Sequence, residues 1–194
     1  MNFRILTALA AVLAALPCQA LAHAGDHFHG VESGFLHPFS GLDHLLAMVA
    51  VGLIAARLGG SALWWLPLAF VSAMVSGAAY ALTGVTVPLV ETAIITSVVL
   101  LGAALIANAN MPVALAVTGA ATFGFCHGFA HGTEGPAAAP LGHILGFVGG
   151  TVILHMSGIA ACHALARYGT TARSALRIIG TVILGAGIGL AFIA

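Results

Sequence analysis

Six runs of about 20 mostly apolar residues, separated by short turn-forming stretches, make up almost all of the sequence after residue 35. Of the 194 residues, 61% are hydrophobic and 5% are charged, and Lys is absent. Soluble domains carry about 25% charged residues, whereas about 20 apolar residues let a helix cross a bilayer. The sequence therefore predicts an all-α membrane protein, a bundle of six transmembrane helices without a soluble domain.

Glycine, proline and asparagine residues mark the boundaries between these runs. A pair of glycines follows the first run, for example, and a segment rich in Gly, Pro and Ala separates the fourth from the fifth. The predicted spans are residues 36–57, 62–83, 86–107, 111–131, 140–166 and 175–194.

The N-terminal residues have the features of a secretory signal peptide. Arg4 precedes a short apolar stretch, and Ala20 and Ala22 form a small-residue cleavage site. The apolar stretch is shorter than a membrane span, which disfavours an uncleaved anchor. The predicted organisation is a signal peptide at 1–22, an exported His-rich segment at 23–35 and a six-helix domain at 36–194.

The arginines predict the orientation of the bundle. Arg57 follows the first predicted span, and Arg167, Arg173 and Arg177 surround the loop between the fifth and sixth spans. Cytoplasmic loops are enriched in Arg and Lys, so both loops are expected inside and both chain ends outside. An exported N-terminus requires the same orientation. We therefore expect a multi-pass protein of the bacterial inner membrane.

Small residues recur at every fourth position in several spans, a pattern that lets membrane helices approach closely. The repeats are Ala120, Gly124, Gly128 and Gly132, then Gly146 with Gly150, and Gly185 with Gly189. We expect these residues to pack the bundle. An interface between copies of the chain through the Gly-rich sixth span stays open.

Ionisable side chains within the apolar spans carry the functional signal. A carboxylate at the centre of a bilayer costs about 2.5 to 3.5 kcal/mol, so several of them in one chain usually serve a function. At about 1.5 Å per residue along each helix, four spans deliver His or carboxylate side chains to the outer layer. The candidate metal ligands are His37, Asp43, His44, Glu91, His127, His131 and Glu134.

The spacing of these residues supports one site in the bundle interior. On continuous helices turning about 100° per residue, His37 and His44 share a face, and so do His127 and His131. Asp43 is about 100° away from His44. Asp43 is therefore either a ligand for a second ion or an acceptor that fixes an imidazole tautomer. Imidazole with carboxylate suits nickel, cobalt, zinc or cupric ions better than magnesium or calcium.

Other residues are weaker candidates. His155 lies deeper in the fifth span, where an exit-side metal position and a packing role are both open, and His163 is interpreted as a packing residue. Met48 and Met156 are also interpreted as packing residues. The histidines near the mature N-terminus either capture metal or belong to a tail without affinity. The weaker candidate ligands are His23, His27, His29, His143 and His155.

Other function classes fit less well. A membrane haem protein with histidine axial ligands is the main alternative, but haem needs one His per helix rather than tight pairs with several acids. The sequence contains neither the His-Glu-x-x-His motif of a metalloprotease nor a nucleotide-binding loop, and no basic patch for nucleic acid. We expect no enzymatic activity and no permanently bound cofactor.

Two long motifs resemble a known family. His-Pro-Phe-Ser-Gly-Leu-Asp-His at 37–44 and Phe-Cys-His-Gly-Phe-Ala-His-Gly-Thr-Glu at 125–134 resemble the two signatures of the HupE/UreJ family. The likeness extends over the whole mature chain, including Leu-His-x-x-Gly-Ile at 154–159. The matching positions imply that His37, Asp43, His44, His127, His131 and Glu134 are functional residues.

The resemblance implies a small nickel or cobalt permease that serves hydrogenase or urease maturation, or cobalt-dependent cofactor supply. The expected partners are the divalent metal ion and the lipid bilayer. The source of energy and the physiological metal stay open.

Overall fold

The computed structural model describes residues 30–107, 110–136 and 138–193. All regular structure within these ranges is α-helical. The helices are α1 (Val31–Ser40), α2 (Leu42–Leu58), α3 (Ala62–Ala81), α4 (Val90–Ala107), α5 (Val113–Glu134), α6 (Pro140–Ala166) and α7 (Thr170–Ala191). The predicted signal peptide lies outside the described residues, as do His23, His27 and His29.

Helices α3 to α7 are each long and apolar enough to cross a membrane, and α1 with α2 passes the same test as a bent pair. The described part of the chain thus contains five candidate spans, or six if the pair counts as one. Large apolar side chains such as Trp64, Leu115 and Leu145 are exposed around the bundle, as expected for a surface in contact with lipid. The predicted all-helical membrane bundle is therefore confirmed at this level.

The first predicted span differs from the expected continuous helix. Gly41 has an extended backbone (φ −91°, ψ 121°), and the axes of α1 and α2 differ by 85°. Pro38 cannot donate a helical hydrogen bond, and glycine has little helix propensity. The Ser40 hydroxyl donates to the His37 carbonyl at 2.7 Å, which satisfies one of the carbonyls left free at the helix end. The span is therefore a corner, and it begins at Val31 rather than at residue 36.

The glycine repeat of α5 forms the predicted close contact, here with α3. A Cβ atom at Gly124 would collide with the backbone of Phe70, and one at Gly128 with the backbone of Met74. Residue numbers increase in the same direction along both helices at this contact, so the two helices run parallel. This small-residue interface is confirmed, and Gly146 and Gly150 pack in the same way against the backbone of α1.

The expectation for Gly185 and Gly189 is wrong, because a Cβ atom at either position would meet open space. Helix α7 approaches α4 through Gly180 and Gly187 instead. Glycines at every fourth position do not by themselves specify which face of a helix meets a neighbour. Helix α7 carries two sets of small residues, and only the set that includes Gly180 and Gly187 contacts α4.

The directions of the packed helices agree with a chain that crosses back and forth. Helix α6 runs parallel to α2, since Thr151 contacts Met48 and the backbone of His155 lies against Gly52. Helix α7 runs antiparallel to α4, since Gly180 faces Gly102 and Gly187 faces Val99. The end of α5 and the beginning of α6 consequently lie at the same end of the bundle as α1.

Candidate metal site

Five imidazole rings lie together at the end of the bundle where α5 ends and α6 begins. The ring of His37 contacts the ring of His143 with centroids 5.5 Å apart and that of His131 at 4.7 Å. The His44 ring lies 4.4 Å from His131 and 4.7 Å from His127. We call these five residues, from α1, α2, α5 and α6, the histidine cluster.

One end of the histidine cluster is accessible and carries a carboxylate. The Nε2 atom of His37 lies 2.9 Å from Oε2 of Glu134, and these two side chains are 29% and 49% exposed. Together with His131, which is fully buried, each offers one donor atom within 4.8 Å of the others. Three donors at this separation can surround a single cation, and they connect the surface of the protein to its interior.

The other end of the histidine cluster is buried and has free ring nitrogens. Nε2 of His44, Nδ1 of His127 and both ring nitrogens of His131 are buried without a hydrogen-bond partner in the described part of the chain. A buried polar atom that lacks a partner costs about 1 to 3 kcal/mol. Several such atoms on neighbouring rings indicate a place where an electrophile, such as a metal ion, would supply the missing interaction.

Asp43 orients the ring of His44. Its Oδ1 atom lies 2.8 Å from Nδ1 of His44 and accepts the backbone N–H of His44 at 2.8 Å. The ring donates Nδ1–H to the carboxylate, which leaves the Nε2 lone pair free. Of the two roles that the sequence left open for Asp43, the contact fits the acceptor that fixes a tautomer.

Two serines that the sequence analysis did not single out orient two other rings. Ser97 of α4 donates its hydroxyl hydrogen to the Ile94 carbonyl at 2.6 Å, so its oxygen, 3.0 Å from Nε2 of His127, accepts that ring N–H. Ser33 of α1 donates to the Gly30 carbonyl at 3.0 Å and accepts from Nδ1 of His143 at 3.1 Å. The remaining nitrogens, Nδ1 of His127 and Nε2 of His143, have no partner within the described ranges. Three rings of the histidine cluster thus share one pattern: an oxygen holds one nitrogen and the other is left free.

The local structure explains how these side chains meet. His127 and His131 lie one turn apart on the continuous helix α5, as the spacing predicted, and both contact His44. The reason given for pairing His37 with His44, a common face on one straight helix, is wrong, because the corner at Gly41 separates them. The corner nonetheless brings the two rings to 6.3 Å between centroids.

Other candidates lie outside this group. Glu91, in the first turn of α4, is exposed and forms no hydrogen bond in the part of the chain that the structure describes, although its charge interacts with those of Glu134 and Asp43. His155 is buried one layer further into the bundle. The Nδ1–H of His163 donates to the Ile159 carbonyl at 2.9 Å on an exposed face of α6. The interpretation of His163 as a packing residue is therefore wrong, because its ring bonds to its own helix and faces away from the bundle interior.

Comparison with known proteins agrees with the motifs. The sequence model of the family described as HupE / UreJ protein matches residues 10–190. Protein HupE of Rhizobium leguminosarum bv. viciae is 42% identical over 185 residues, which cover 95% of this chain and 95% of that protein. No solved structure matches the chain. A family match over nearly the whole sequence, together with this identity, shows that the chain belongs to the HupE/UreJ family.

Proposed function

We propose that this protein takes up a divalent transition-metal ion across the bacterial inner membrane, with nickel as the first candidate and cobalt as the second. The observation that carries the proposal is the set of donor atoms from His37, His131 and Glu134, which lie within 4.8 Å of one another. Membership of the HupE/UreJ family supports the same function, because the family resemblance implies a nickel or cobalt permease that serves hydrogenase or urease maturation.

The first step is capture at the exposed end of the histidine cluster. The Glu134 carboxylate and the His37 imidazole are the accessible donors there, and a carboxylate attracts a hydrated cation before any water is lost. The metal then exchanges water for imidazole nitrogen. His131 is placed to accept it, because its ring contacts both His37 and His44 and neither of its ring nitrogens is engaged in the described part of the chain.

The second step transfers the ion to the buried rings of His44 and His127. Asp43 and Ser97 hold these rings in the tautomers that leave a lone pair free. Imidazole ligands suit nickel and cobalt, whereas magnesium and calcium prefer all-oxygen surroundings. The buried end of the histidine cluster therefore discriminates against the abundant hard cations.

The proposal includes an orientation. With Arg57 and the arginines around the loop between α6 and α7 on the cytoplasmic side, the histidine cluster faces the exterior, and both chain ends lie outside. We further propose that residues 1–22 are removed as a signal peptide and that the bent pair α1–α2 counts as the first of six spans. The exported histidines His23, His27 and His29 would then lie on the side from which metal enters.

The geometry disfavours haem binding. Axial haem ligands lie on opposite faces of a planar macrocycle, whereas rings of the histidine cluster contact each other directly, with centroids 4.4 to 4.7 Å apart. The absorbance of the purified protein separates the two functions. A Soret band with stoichiometric iron would replace the transport proposal by an electron-transfer function.

Uptake of radiolabelled Ni²⁺ in a nickel-starved bacterial host tests the proposal. We expect His37→Ala and His127→Ala each to reduce uptake to the level of cells without the protein, while membrane insertion is unchanged. His163→Ala is the matched control, because this histidine lies in a membrane helix but away from the histidine cluster, and it should leave uptake unchanged. Wild-type cells that accumulate no more Ni²⁺ or Co²⁺ than the empty host would refute the function itself.

A further inference from the structure

A second group of buried side chains with nitrogen, sulfur and oxygen atoms lies deeper in the bundle, between α2, α3 and α6. The Thr151 hydroxyl oxygen is 3.3 Å from Sδ of Met48 and 3.6 Å from Sδ of Met74. His155 follows one turn after Thr151 on α6. All four side chains are buried, with His155 only 1% exposed and the others fully enclosed.

His155 has no hydrogen-bond partner for either ring nitrogen in the described part of the chain. A neutral imidazole always carries one N–H and one lone pair, so the ring leaves both a donor and an acceptor unsatisfied in an apolar interior, which is destabilising. A leucine or phenylalanine would fill the same space without that penalty. The imidazole therefore indicates a ligand that the fold itself does not supply.

The contacts of α6 with α2 and α3 place these residues on two adjacent turns, with Met48 and Met74 beside Thr151 and Phe70 beside His155. Each of the three helices contributes two residues one turn apart: Met48 and Gly52 from α2, Phe70 and Met74 from α3, and Thr151 and His155 from α6. The missing side chain of Gly52 lets the backbone of His155 approach α2 closely. The Phe70 ring packs against His155 with centroids 5.1 Å apart. The two sulfur atoms thus lie beside Thr151, and the His155 imidazole belongs to the next turn of α6.

This second group adjoins the histidine cluster. The same Phe70 ring that contacts His155 also contacts the His127 ring, at 5.6 Å between centroids. Going inward from the buried end of the histidine cluster, His155 is therefore separated from His127 by a single aromatic ring.

We propose that His155, Met48 and Met74 form an inner metal position that receives the ion from His127 on its way to the cytoplasmic side. This inference rests on the proposed function and extends it from capture to passage. The donors are one imidazole and two thioethers, with the Thr151 hydroxyl beside them, and none of them carries a negative charge. Magnesium and calcium bind poorly to such atoms, whereas late transition metals accept both imidazole and sulfur.

The absence of a carboxylate from these donors suits a position of transit. Conduction requires that each position bind its ion strongly enough to admit it and weakly enough to release it. The carboxylates of Asp43 and Glu134 belong to the outer end of the bundle, where capture from dilute solution demands affinity. The inner position offers only neutral donors. It should therefore release the ion more readily than the histidine cluster does.

The test compares His155→Phe with His155→Met in purified protein, using Ni²⁺ as the probe. Phenylalanine keeps an aromatic ring against Phe70 but offers no donor, whereas methionine restores a soft donor. Uptake into proteoliposomes should fall at least tenfold in His155→Phe and recover at least in part in His155→Met. Equilibrium dialysis should show that His155→Phe loses one equivalent of bound Ni²⁺ while the affinity of the histidine cluster changes less than twofold.

His163→Ala is the control on the same helix and should match the wild type in both measurements. The inner position is wrong if His155→Phe transports Ni²⁺ within twofold of the wild type, or if it loses binding at the histidine cluster together with uptake. If His155→Phe cannot be purified in a folded form, the double variant Met48→Leu with Met74→Leu replaces it. Wild-type uptake and a wild-type number of bound Ni²⁺ ions in the double variant would overturn the proposal. A wild-type protein that transports no metal would refute the proposed function. The dialysis measurement would still decide the inner position, because His155→Phe must lose one bound Ni²⁺ if that position exists and must retain it if it does not.

Discussion

Replacing Ser97 by Ala removes one oxygen and tests whether the His127 tautomer matters. The Ser97 side chain is fully buried, and its oxygen is the acceptor, at 3.0 Å, for Nε2–H of His127. Without it the ring can carry its proton on Nδ1, the nitrogen that we expect to bind metal. A bound metal polarises the ring and strengthens the N–H···O bond, so the loss falls mainly on the metal-bound state.

Loss of such an orienting partner typically costs 10- to 100-fold in metal affinity, which corresponds to about 1.4 to 2.8 kcal/mol. We expect the Kd of purified protein for Ni²⁺, measured by titration calorimetry, to rise by about this factor in Ser97→Ala. The apparent KM for uptake should rise with it, while the maximal rate changes little, because the pathway itself remains intact.

Ser76→Ala is the matched control for this experiment. The Ser76 hydroxyl also donates to a carbonyl of its own helix, that of Ser72 at 3.0 Å, but it is exposed and forms no hydrogen bond with a histidine among the described residues. The Ser76→Ala protein should bind Ni²⁺ with the same Kd as the wild type. A Ser97→Ala protein that binds Ni²⁺ within twofold of the wild type would show that the serine does not set the tautomer and that our assignment of Nδ1 as the ligand has no support.

Four further predictions concern the charge at Glu134, the protonation of the ligands, helix packing and the N-terminal segment. Glu134→Gln keeps a hydrogen bond to His37 but removes the charge at the exposed end, so uptake should decline most at low Ni²⁺ concentration and recover at high concentration; equal loss at all concentrations would contradict a role in capture. Ni²⁺ binding should weaken as the pH falls below about 6, because ligating imidazoles must be neutral and their unperturbed pKa is about 6.5; uptake that increases on acidification would point to proton coupling. Gly128→Ala should lower the melting temperature of the purified protein, because its Cβ atom would collide with the Met74 backbone and overpacking costs about 1 to 3 kcal/mol, whereas Gly119→Ala on the same helix meets open space and should not. Deletion of residues 24–30 should reduce uptake at submicromolar Ni²⁺ if the exported histidines capture metal, and unchanged uptake would remove them from the mechanism.

Much of the fold could be predicted from the sequence because membrane spans are specified by length and polarity alone. The predicted span 140–166 has the same limits as α6, and the other helices differ from prediction by at most five residues at an end, as where α7 begins at Thr170 rather than at 175. The corner at Gly41 could not be predicted with the same assurance. Periodicity treats an apolar run as one helix, and a single glycine is tolerated within many helices.

The histidines of the site could be predicted, but the residues that orient them could not. Imidazoles and carboxylates are conspicuous in apolar helices because they are costly there. Ser33 and Ser97 are not, since a serine in a helix satisfies its own hydroxyl by donating to a preceding carbonyl, and this is what both do. Their second interaction, with His143 and His127, depends on which helices are neighbours. Likewise, Glu91 shares the predicted depth of the other acids, but depth does not specify the direction in which its side chain points.

The distribution of negative charge along the bundle gives the arrangement a direction. Glu134 and Asp43 lie at the histidine cluster, and Glu91 is near enough to interact with both. Around Thr151, one turn before His155 on α6, the neighbouring polar atoms are two thioethers and a hydroxyl. A divalent ion moving from Glu134 towards His155 therefore gives up anionic neighbours for neutral ones. That exchange raises the free energy of every cation, but least for ions that bind nitrogen and sulfur well. Hard cations attracted by the carboxylates would be held at the exposed end, so in the proposed pathway selectivity would arise from the order in which the ion meets carboxylate, imidazole and thioether donors. Mg²⁺ should accordingly compete with Ni²⁺ at Glu134 but not be transported, and measurable Mg²⁺ uptake by the wild type would contradict this account.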